Sequence, residues 1–142
     1  MNNQYEHMIR KYFFRFLDDR LTPLGVSGPL GYYLVEINKR SSIKMNQLVD
    51  LTPYHKSHST RIVTKLHEMK LITKEIDPED MRGYILSITD EGRKKAALVE
   101  KAHLDWVNLE SQALTKEEIT LQIKLSEKTY LFLKNYFDEG KK

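Results

Sequence analysis

The sequence predicts a mainly α-helical chain that carries one small antiparallel β-ribbon. Apolar residues recur at helical spacing near both ends of the chain, which indicates amphipathic helices there. Between them, two short apolar runs, Ile72–Ile76 and Tyr84–Thr89, flank a turn over residues 77–83 that contains Pro78 and Gly83. A basic segment, also predicted to be helical, precedes this ribbon. The order of these elements is typical of a winged helix-turn-helix.

The composition of the chain limits the class of protein. Its 142 residues are about one domain in length. No apolar run is long enough to cross a membrane, and residues 1–6 lack the basic-then-apolar order of a signal peptide. The chain has no cysteine, which excludes disulfides and cysteine-based redox sensing and is typical of a reducing cytoplasm. We therefore expect a cytoplasmic protein without membrane contact.

Two helices are predicted in the first 40 residues. The first runs from about Gln4 to Arg20 and carries a wide, largely aromatic apolar stripe. The stripe has two alternative roles, ordinary core and a subunit contact. Because a stripe of this width at one end of the chain is difficult to cover within one subunit, we expect the subunit contact. The turn-rich residues 21–29 lead into the second helix, which ends near Arg40. We expect Ser27 to be its N-cap and Pro29 to lie in its first turn.

The basic helix carries the main functional signal. A short helix over about residues 44–50 and a turn at Leu51-Thr52-Pro53 precede it, and we expect Thr52 or Pro53 to begin it. Two helices joined by a tight turn are therefore predicted. Between Tyr54 and Lys70 four basic side chains accompany a single acidic one, as expected for contact with phosphates. Its short polar and cationic side chains suit a helix that enters a major groove. The predicted DNA contacts are Lys56, Ser57, His58, Thr60, Arg61 and Lys65.

The turn of the ribbon supplies a second candidate contact. Arg82 lies at its tip, two residues after Asp80. An arginine on a protruding hairpin can enter the narrow, electronegative minor groove, and we expect Asp80 to fix either the Arg82 side chain or the backbone of the tip. The alternative is an exposed ion pair worth less than about 1 kcal/mol. The residues expected to face the core from the two strands are Ile72, Ile76, Ile85 and Ile88.

Two long helices are predicted after the ribbon. Thr89 should cap the first, which runs to about Glu110. Residues Thr115–Glu118 form a capping-box start for the last helix. That helix carries two apolar stripes, which need two partners; we expect one partner to be its own domain and the other a second copy of the chain. The residues expected to be buried in the first of these helices are Leu98, Ala102, Trp106 and Leu109.

These segments resemble the multiple-antibiotic-resistance regulator (MarR) family of winged-helix transcription factors. Pro23–Ser27 is similar to the family's connection into its second helix, and Ser57–Leu66 is similar to its recognition helix. The most specific similarity is that of residues 77–83 and Ile88–Gly92 to the wing and the start of the fifth helix. The family usually has glycine where this chain has Lys70. If the backbone there requires a positive φ, lysine accepts a modest strain that glycine would avoid.

The resemblance implies a function as well as a fold. It implies a single MarR-like chain over residues 1–142, with a DNA-binding lobe at about 28–92 and a helical dimerisation lobe formed by about 4–22 and 93–138. We therefore predict a homodimer that binds double-stranded DNA at a pseudo-palindromic operator, as a repressor released by a small aromatic or amphiphilic effector. The candidates for lining an effector pocket, each of which is also an ordinary core residue type, are Tyr12, Tyr32, Tyr33 and Trp106.

Other classes of protein fit the sequence less well. A winged-helix protein-interaction module that does not bind DNA has the same hydrophobic pattern, but it does not need both a basic helix and Arg82. An enzyme is disfavoured because no nucleophile motif, phosphate loop or metal-ligand signature accompanies the polar residues. The pairs His55/His58 and Glu100/His103 lack further ligands, so we expect neither a metal nor a cofactor.

Overall fold

Helices account for most of the chain that the computed structural model describes, residues 3–139. The α-helices are α1 Gln4–Leu21, α2 Pro29–Arg40, α3 Met45–Asp50, α4 Lys56–Glu68, α5 Asp90–Glu110 and α6 Lys116–Glu139. The strands are β1 Ser42–Lys44, β2 Ile72–Ile76 and β3 Tyr84–Ile88. The predicted fold class, mainly α with a small antiparallel β-wing, is confirmed. Within the described range, no helix combines the length and the apolar character that a membrane crossing requires.

The chain divides into two compact units, and the boundary falls inside α5. The first unit ends at Trp106 and the second begins at Val107. The first unit therefore contains α1 to α4, the sheet and most of α5, and the second contains the end of α5 and α6. The functional lobes expected at residues 28–92 and at 4–22 with 93–138 are a different division of the chain, and they stay a prediction.

The sheet has one strand more than the predicted ribbon. Its order is β1-β3-β2, and both pairings are antiparallel, with Ile43 and Lys74 opposite Leu86 on its two sides. Strand β1 lies where the sequence indicated only a break at Ser41-Ser42, since three residues are too few to show an alternating pattern. Because β1 lies between α2 and α3 and pairs with β3, it links these two helices to the wing.

The buried face of the wing agrees with the prediction at Ile72 and differs from it at Ile85 and Ile76. Ile72 and Leu86 are buried, whereas Ile85 and Ile88 are half-buried and Ile76 is 56% exposed. Side chains alternate between the two faces of a strand, so Ile85 cannot share the face of its neighbour Leu86. Ile76 shares that face but lies next to the turn, where the core no longer covers the ribbon.

Helix α5 packs through small residues rather than through its leucines. Its buried positions, Gly92, Ala96, Val99 and Ala102, follow helical spacing along one face. A Cβ at Gly92 would lie only 2.1 Å from the carbonyl oxygen of Leu71, so glycine permits this close approach of α5 to the end of α4. Ala102 is buried as predicted. The prediction was wrong for Leu98 and Leu109, which are exposed: Leu98 lies off this face, and Leu109 lies beyond its last buried residue, Ala102. Trp106 is half-buried.

The starts of the last two helices follow the predicted local signals. The Thr89 Oγ1 accepts a hydrogen bond of 3.0 Å from the Gly92 N–H. Thr115 and Glu118 exchange reciprocal bonds of 2.9 and 3.2 Å, which form the predicted capping box. The bond that the Glu118 carboxylate accepts from the Thr115 N–H is the main cause that lowers the pKa of Glu118.

The starts of α2 and α4 differ from the prediction. Gly28, with φ 60°, occupies the N-cap of α2 instead of Ser27, because this backbone conformation favours glycine. Pro29 is the first helical residue, as predicted. Helix α4 begins at Lys56 rather than at Thr52 or Pro53, and the His55 Nδ1 caps it by accepting a bond of 3.3 Å from the Ser57 N–H.

Lys70 adopts the left-handed backbone conformation that the family's usual glycine at this position suggested. Its φ is 63°, and its N–H donates to the carbonyl of His67 at 3.0 Å, which closes the end of α4. The Thr89 hydroxyl donates to the Lys70 carbonyl at 2.8 Å. These bonds fix the turn between α4 and β2, so the structure retains a conformation that lysine disfavours.

Replacing Lys70 by glycine should stabilise the protein. Lys70→Gly removes the left-handed strain, and we expect the free energy of unfolding to rise by about 0.5–1 kcal/mol after allowance for the greater unfolded-state entropy of glycine. Urea denaturation measures this change. The matched control is Lys70→Ala, which removes the charge but keeps a Cβ and should give no gain. Equal stabilisation by both variants would contradict the explanation by backbone strain.

Candidate nucleic-acid interface

The two sides of α4 differ in chemistry. Val63 and Leu66 are buried against the core of the first unit, and Ile62 and Met69 pack beside them. The opposite side follows the spacing i, i+3, i+4, i+7, i+8 and faces solvent. We call it the exposed face of α4, and it consists of Ser57, Thr60, Arg61, Thr64 and Lys65.

Four of the six α4 residues predicted from the sequence lie on this exposed face, namely Ser57, Thr60, Arg61 and Lys65. Lys56 is also exposed and begins the helix. His58 is different, because it is half-buried and its ring lies 4.9 Å from the ring of Tyr54, centroid to centroid. Its ring therefore packs against the turn before α4. Thr64, which the sequence analysis did not select, completes the face.

A buried chain of hydroxyl groups fixes how α4 is rotated on the core. Ser59 is fully buried and hydrogen-bonds to the Tyr33 hydroxyl. Tyr33 donates to the Thr52 Oγ1 at 3.1 Å, and Thr52 donates to the carbonyl of Val49 at 3.1 Å. Since each hydroxyl has one proton, Ser59 is the donor to Tyr33. Turning α4 about its axis would break this chain and leave buried polar groups unpaired, at a cost of about 1–3 kcal/mol each.

The tip of the wing is held by its own backbone and by Asp80. The Asp80 Oδ1 accepts a bond of 3.1 Å from the Arg82 N–H, and the Asp80 carbonyl accepts one of 2.8 Å from the Gly83 N–H. Asp80 thus fixes the backbone of the tip, which is the second of the two roles considered for it. The Arg82 side chain is exposed, and none of the ion pairs formed within residues 3–139 includes it.

A cleft of about 520 Å³ separates α3 and α4 from the wing. It brings together four of the predicted DNA-contact residues, Lys56 and Thr60 from α4 and Asp80 and Arg82 from the wing. Ser57, Arg61 and Lys65 lie outside the lining of this cleft, on the exposed face of α4. The full set of charged residues that line it is Lys44, Lys56, Lys74, Arg82, Asp50, Asp77 and Asp80.

Two cations of this cleft were missed by the sequence analysis. Lys44 ends β1, a strand that was not predicted, so no local pattern could place it here. Lys74 lies in β2 opposite Leu86, and its ammonium group lies 4.1 Å from the centroid of the Tyr84 ring. Lys74 could have been predicted as a cleft residue, because it lies in the predicted strand close to the predicted turn.

Lys44 contacts two carboxylates of the wing turn. Its Nζ lies 2.8 Å from the Glu79 Oε2 and 3.5 Å from the Asp77 Oδ2. The hydrogen bond with Glu79, together with the charge of Asp77, raises the pKa of Lys44. The Glu79 N–H donates to the Asp77 Oδ1 at 2.9 Å, and this bond lowers the pKa of Asp77. Both shifts favour the charged forms of Lys44 and Asp77. We call Lys44, Asp77 and Glu79 the Lys44 cluster.

A second cleft, of about 400 Å³, is lined by residues of α1, α2 and α5 and by Tyr54. Of the four predicted effector residues, Tyr32 lines this cleft and the other three do not. Tyr33 is fully buried, Tyr12 is 53% exposed, and Trp106 packs edge-on against Phe13 and Phe16. The aromatic residues that line the cleft are Phe13, Phe14, Tyr32, Tyr54 and His103.

Burial changes the proton affinity of two groups in this second cleft. It raises the pKa of Tyr32, with Glu36 as a further cause, and it lowers the pKa of His103. Both groups are therefore more often neutral at a given pH than they would be in water. The lining is otherwise mostly apolar and aromatic and includes one carboxylate, that of Asp18, so the cleft suits a flat, largely apolar ligand. Within residues 3–139, no group of three potential metal-ligating side chains lies close enough to bind an ion.

The helix-turn-helix formed by α3 and α4, followed by the β2–β3 wing, defines a winged helix-turn-helix protein. No family model matches the sequence. The chain is 27% identical over 113 residues to the HTH-type transcriptional regulator BilQ of Clostridioides difficile (strain CD3), over 75% of this chain and 76% of BilQ.

Solved structures of MarR proteins have the same fold. A MarR protein from Peptoclostridium difficile matches 94% of this chain and 87% of its own, with 21% identity and a TM-score of 0.87. A mutant MarR from E. coli, in complex with operator DNA, matches 89% of this chain and 91% of its own, with 23% identity and a TM-score of 0.77. The predicted resemblance to the MarR family is confirmed: this chain has the MarR winged-helix fold. The description of BilQ as a transcriptional regulator agrees with the expectation that this chain is not an enzyme.

Proposed function

We propose that this protein is a transcriptional regulator that binds double-stranded DNA in a sequence-specific manner. The observation that carries the proposal is that the basic start of α4 and Arg82 of the wing line the same cleft. A helix and a hairpin placed in this way can contact neighbouring grooves of one duplex. The structural similarity to a MarR that was solved with operator DNA supports the proposal.

The chemistry of each residue suggests its contact with DNA. Ser57, Thr60 and Arg61 are exposed near the start of α4, where short polar groups and arginine can read base edges in the major groove. Lys56 and Lys65 suit phosphates on either side of that groove. His58 is restrained by Tyr54, so we assign it to the edge of the contact. Arg82 would enter the minor groove, with Asp80 fixing the backbone of the tip.

Removing the Arg82 side chain should weaken specific DNA binding. For Arg82→Ala we expect a loss of about 1–3 kcal/mol on a duplex selected from random DNA. Fluorescence anisotropy at fixed salt measures the loss. The matched control is Lys101→Ala, which removes the same charge from an exposed position on α5, away from the wing cleft, and should change affinity little. Equal affinities for Arg82→Ala and the unmodified protein would remove Arg82 from the interface.

The alternative function is a protein-interaction module that does not bind DNA. Salt separates the two, because a protein that contacts 6–10 phosphates loses about 10³–10⁵ in affinity between 50 and 200 mM salt. A chain that bound no duplex even at low salt would favour the interaction module. The basic exposed face of α4 supports DNA binding over this alternative, since a protein partner would not require it.

We further propose that the protein acts as a homodimer. The terminal helix α6 has exposed apolar side chains on two of its sides, for example Leu121 and Phe132 on one side and Ile123 and Tyr130 on the other. An exposed apolar surface of this extent is typical of a subunit contact. Two-fold symmetry would place two copies of α4 about 34–36 Å apart, one turn of DNA, and this spacing suits a pseudo-palindromic operator.

Sedimentation velocity should show a species of twice the mass of one chain. Phe132→Glu introduces a charge into an apolar side of α6, so we expect it to shift the protein toward monomer because an unpaired charge is costly in an apolar interface. Thr120→Glu is the matched control, since it adds the same charge to the same helix away from both apolar sides. A monomer in the unmodified protein at micromolar concentration would overturn the homodimer.

We also propose that the regulator is a repressor released by a small aromatic or amphiphilic effector. The apolar cleft lined by Tyr32, Phe13, Tyr54 and His103 supports this role. A ligand in this cleft would contact Tyr54, which packs against Tyr33, the partner of Ser59 in α4, and against His58 of α4. Such a ligand lowers DNA affinity only if it binds the DNA-incompetent arrangement more tightly. A regulator of this kind acts where the DNA is, so we expect it in the cytoplasm.

Small aromatic and amphiphilic compounds should weaken the complex with DNA when they are titrated into it. We expect Tyr32→Ala to reduce this response while leaving affinity in the absence of ligand unchanged, because Tyr32 lines the cleft and is partly exposed. The matched control is Tyr5→Ala on exposed α1, which should respond like the unmodified protein. A screen of aromatic acids and other small amphiphiles in which no compound altered DNA affinity would argue against the effector.

A further inference from the structure

Lys44 is a cation of the proposed DNA cleft whose charge is already paired. Its Nζ contacts the carboxylates of Glu79 at 2.8 Å and Asp77 at 3.5 Å. Both carboxylates belong to the wing turn, whereas Lys44 ends β1 and directly precedes α3. The contact therefore joins two parts of the chain that are 33 and 35 residues apart in sequence, as the residue numbers show. A contact at this place can hold the wing in a fixed orientation relative to α3.

Asp77 connects this contact to the rest of the wing turn. It is only 4% exposed, and its Oδ1 accepts from the Glu79 N–H at 2.9 Å. Its own N–H donates to the Gly83 carbonyl at 3.0 Å, and its carbonyl accepts from the Asp80 N–H at 3.2 Å. Asp80 in turn fixes the backbone of Arg82. The turn is thus one hydrogen-bonded unit. Lys44, which lies in β1 and not in the turn, pairs with the buried carboxylate of Asp77.

We propose that Lys44 is a positioning residue for the wing, which acts through Asp77 and Glu79 to set where Arg82 meets the duplex. This inference rests on the proposed function as far as DNA is concerned. The pairing of β1 with β3 ends at Lys44, opposite Ile85, so the backbone of β1 does not reach the turn. The Lys44 cluster supplies the side-chain support at that point.

The competing role for Lys44 is direct contact with a DNA phosphate. The two roles predict opposite effects when an acidic partner is neutralised. If Lys44 binds phosphate, then Glu79→Gln and Asp77→Asn release its charge and strengthen DNA binding. If Lys44 positions the wing, the same substitutions loosen the turn and weaken binding, although the cleft becomes more positive. Asn at position 77 can still accept the bond from the Glu79 N–H, so the turn itself should form.

The test compares these variants with a matched control in the same cleft. Asp50→Asn removes an equal charge from the cleft lining, and none of the ion pairs within the described residues includes Asp50. We expect roughly two- to fivefold weaker DNA binding for the exposed Glu79→Gln, a greater loss for Asp77→Asn, and no loss for Asp50→Asn. Stronger binding by Glu79→Gln or Asp77→Asn would overturn the proposal.

A double-mutant cycle separates positioning of Arg82 from a general loss of stability. In an Arg82→Ala background, Glu79→Gln should no longer weaken binding, because the side chain that it positions is absent. An unchanged effect in that background would contradict a role through Arg82. Because Glu79 is exposed, with 78% side-chain accessibility, Glu79→Gln should fold even if Asp77→Asn does not.

Amide hydrogen exchange of the free protein tests the wing contact without DNA. In Glu79→Gln the N–H groups of Arg82 and Gly83 should exchange several-fold faster than in Asp50→Asn, because their turn opens more often. Equal exchange in the two variants would overturn the positioning role. If exchange rises but the unmodified protein binds no duplex, the proposed DNA function fails while the structural role of Lys44 stands.

Discussion

The fixed rotation of α4 on the core is the constraint on which the rest of the structure depends. Val63 and Leu66 bury one side of the helix, and the buried Ser59 accepts only an orientation in which it reaches the Tyr33 hydroxyl. The opposite side must then face solvent, so it can carry Arg61 and Lys65 without desolvating their charges. The specific rotation therefore comes from a polar contact, whereas apolar packing alone would tolerate small changes in angle.

Features that depend on neighbouring residues were predictable from the sequence. The limits of β2, the cap at Thr89 and the capping box at Thr115 follow from groups within a few residues of one another. The turn at Lys70 could be anticipated only through the family's glycine, since lysine itself favours no left-handed backbone. In the candidate site, the exposed residues of α4 followed from helical periodicity, because Val63 and Leu66 marked the opposite side.

Features that join distant parts of the chain were not predictable. The Ser59–Tyr33 bond and the Lys44 cluster each join segments far apart in sequence, and neither leaves a local pattern. His58 was read as an outward-facing polar residue, but Tyr54 covers one side of its ring. Ile85 was assigned to the core because it is apolar, although Leu86 beside it takes that place. The first two features are contacts between distant segments, whereas the orientations of His58 and Ile85 were choices that the local sequence left equal.

The strand order β1-β3-β2 has a consequence for solubility. It leaves β2 at the edge of the sheet, where one row of backbone amides and carbonyls faces away from β3. Such an edge can recruit a strand from another molecule and start aggregation. Lys74 and Glu75 place opposite charges in the middle of β2, next to the exposed Ile76, and charged side chains discourage this unwanted pairing. These two residues therefore protect the exposed edge of the wing from pairing with a strand of another copy, although the wing itself stays accessible to other molecules.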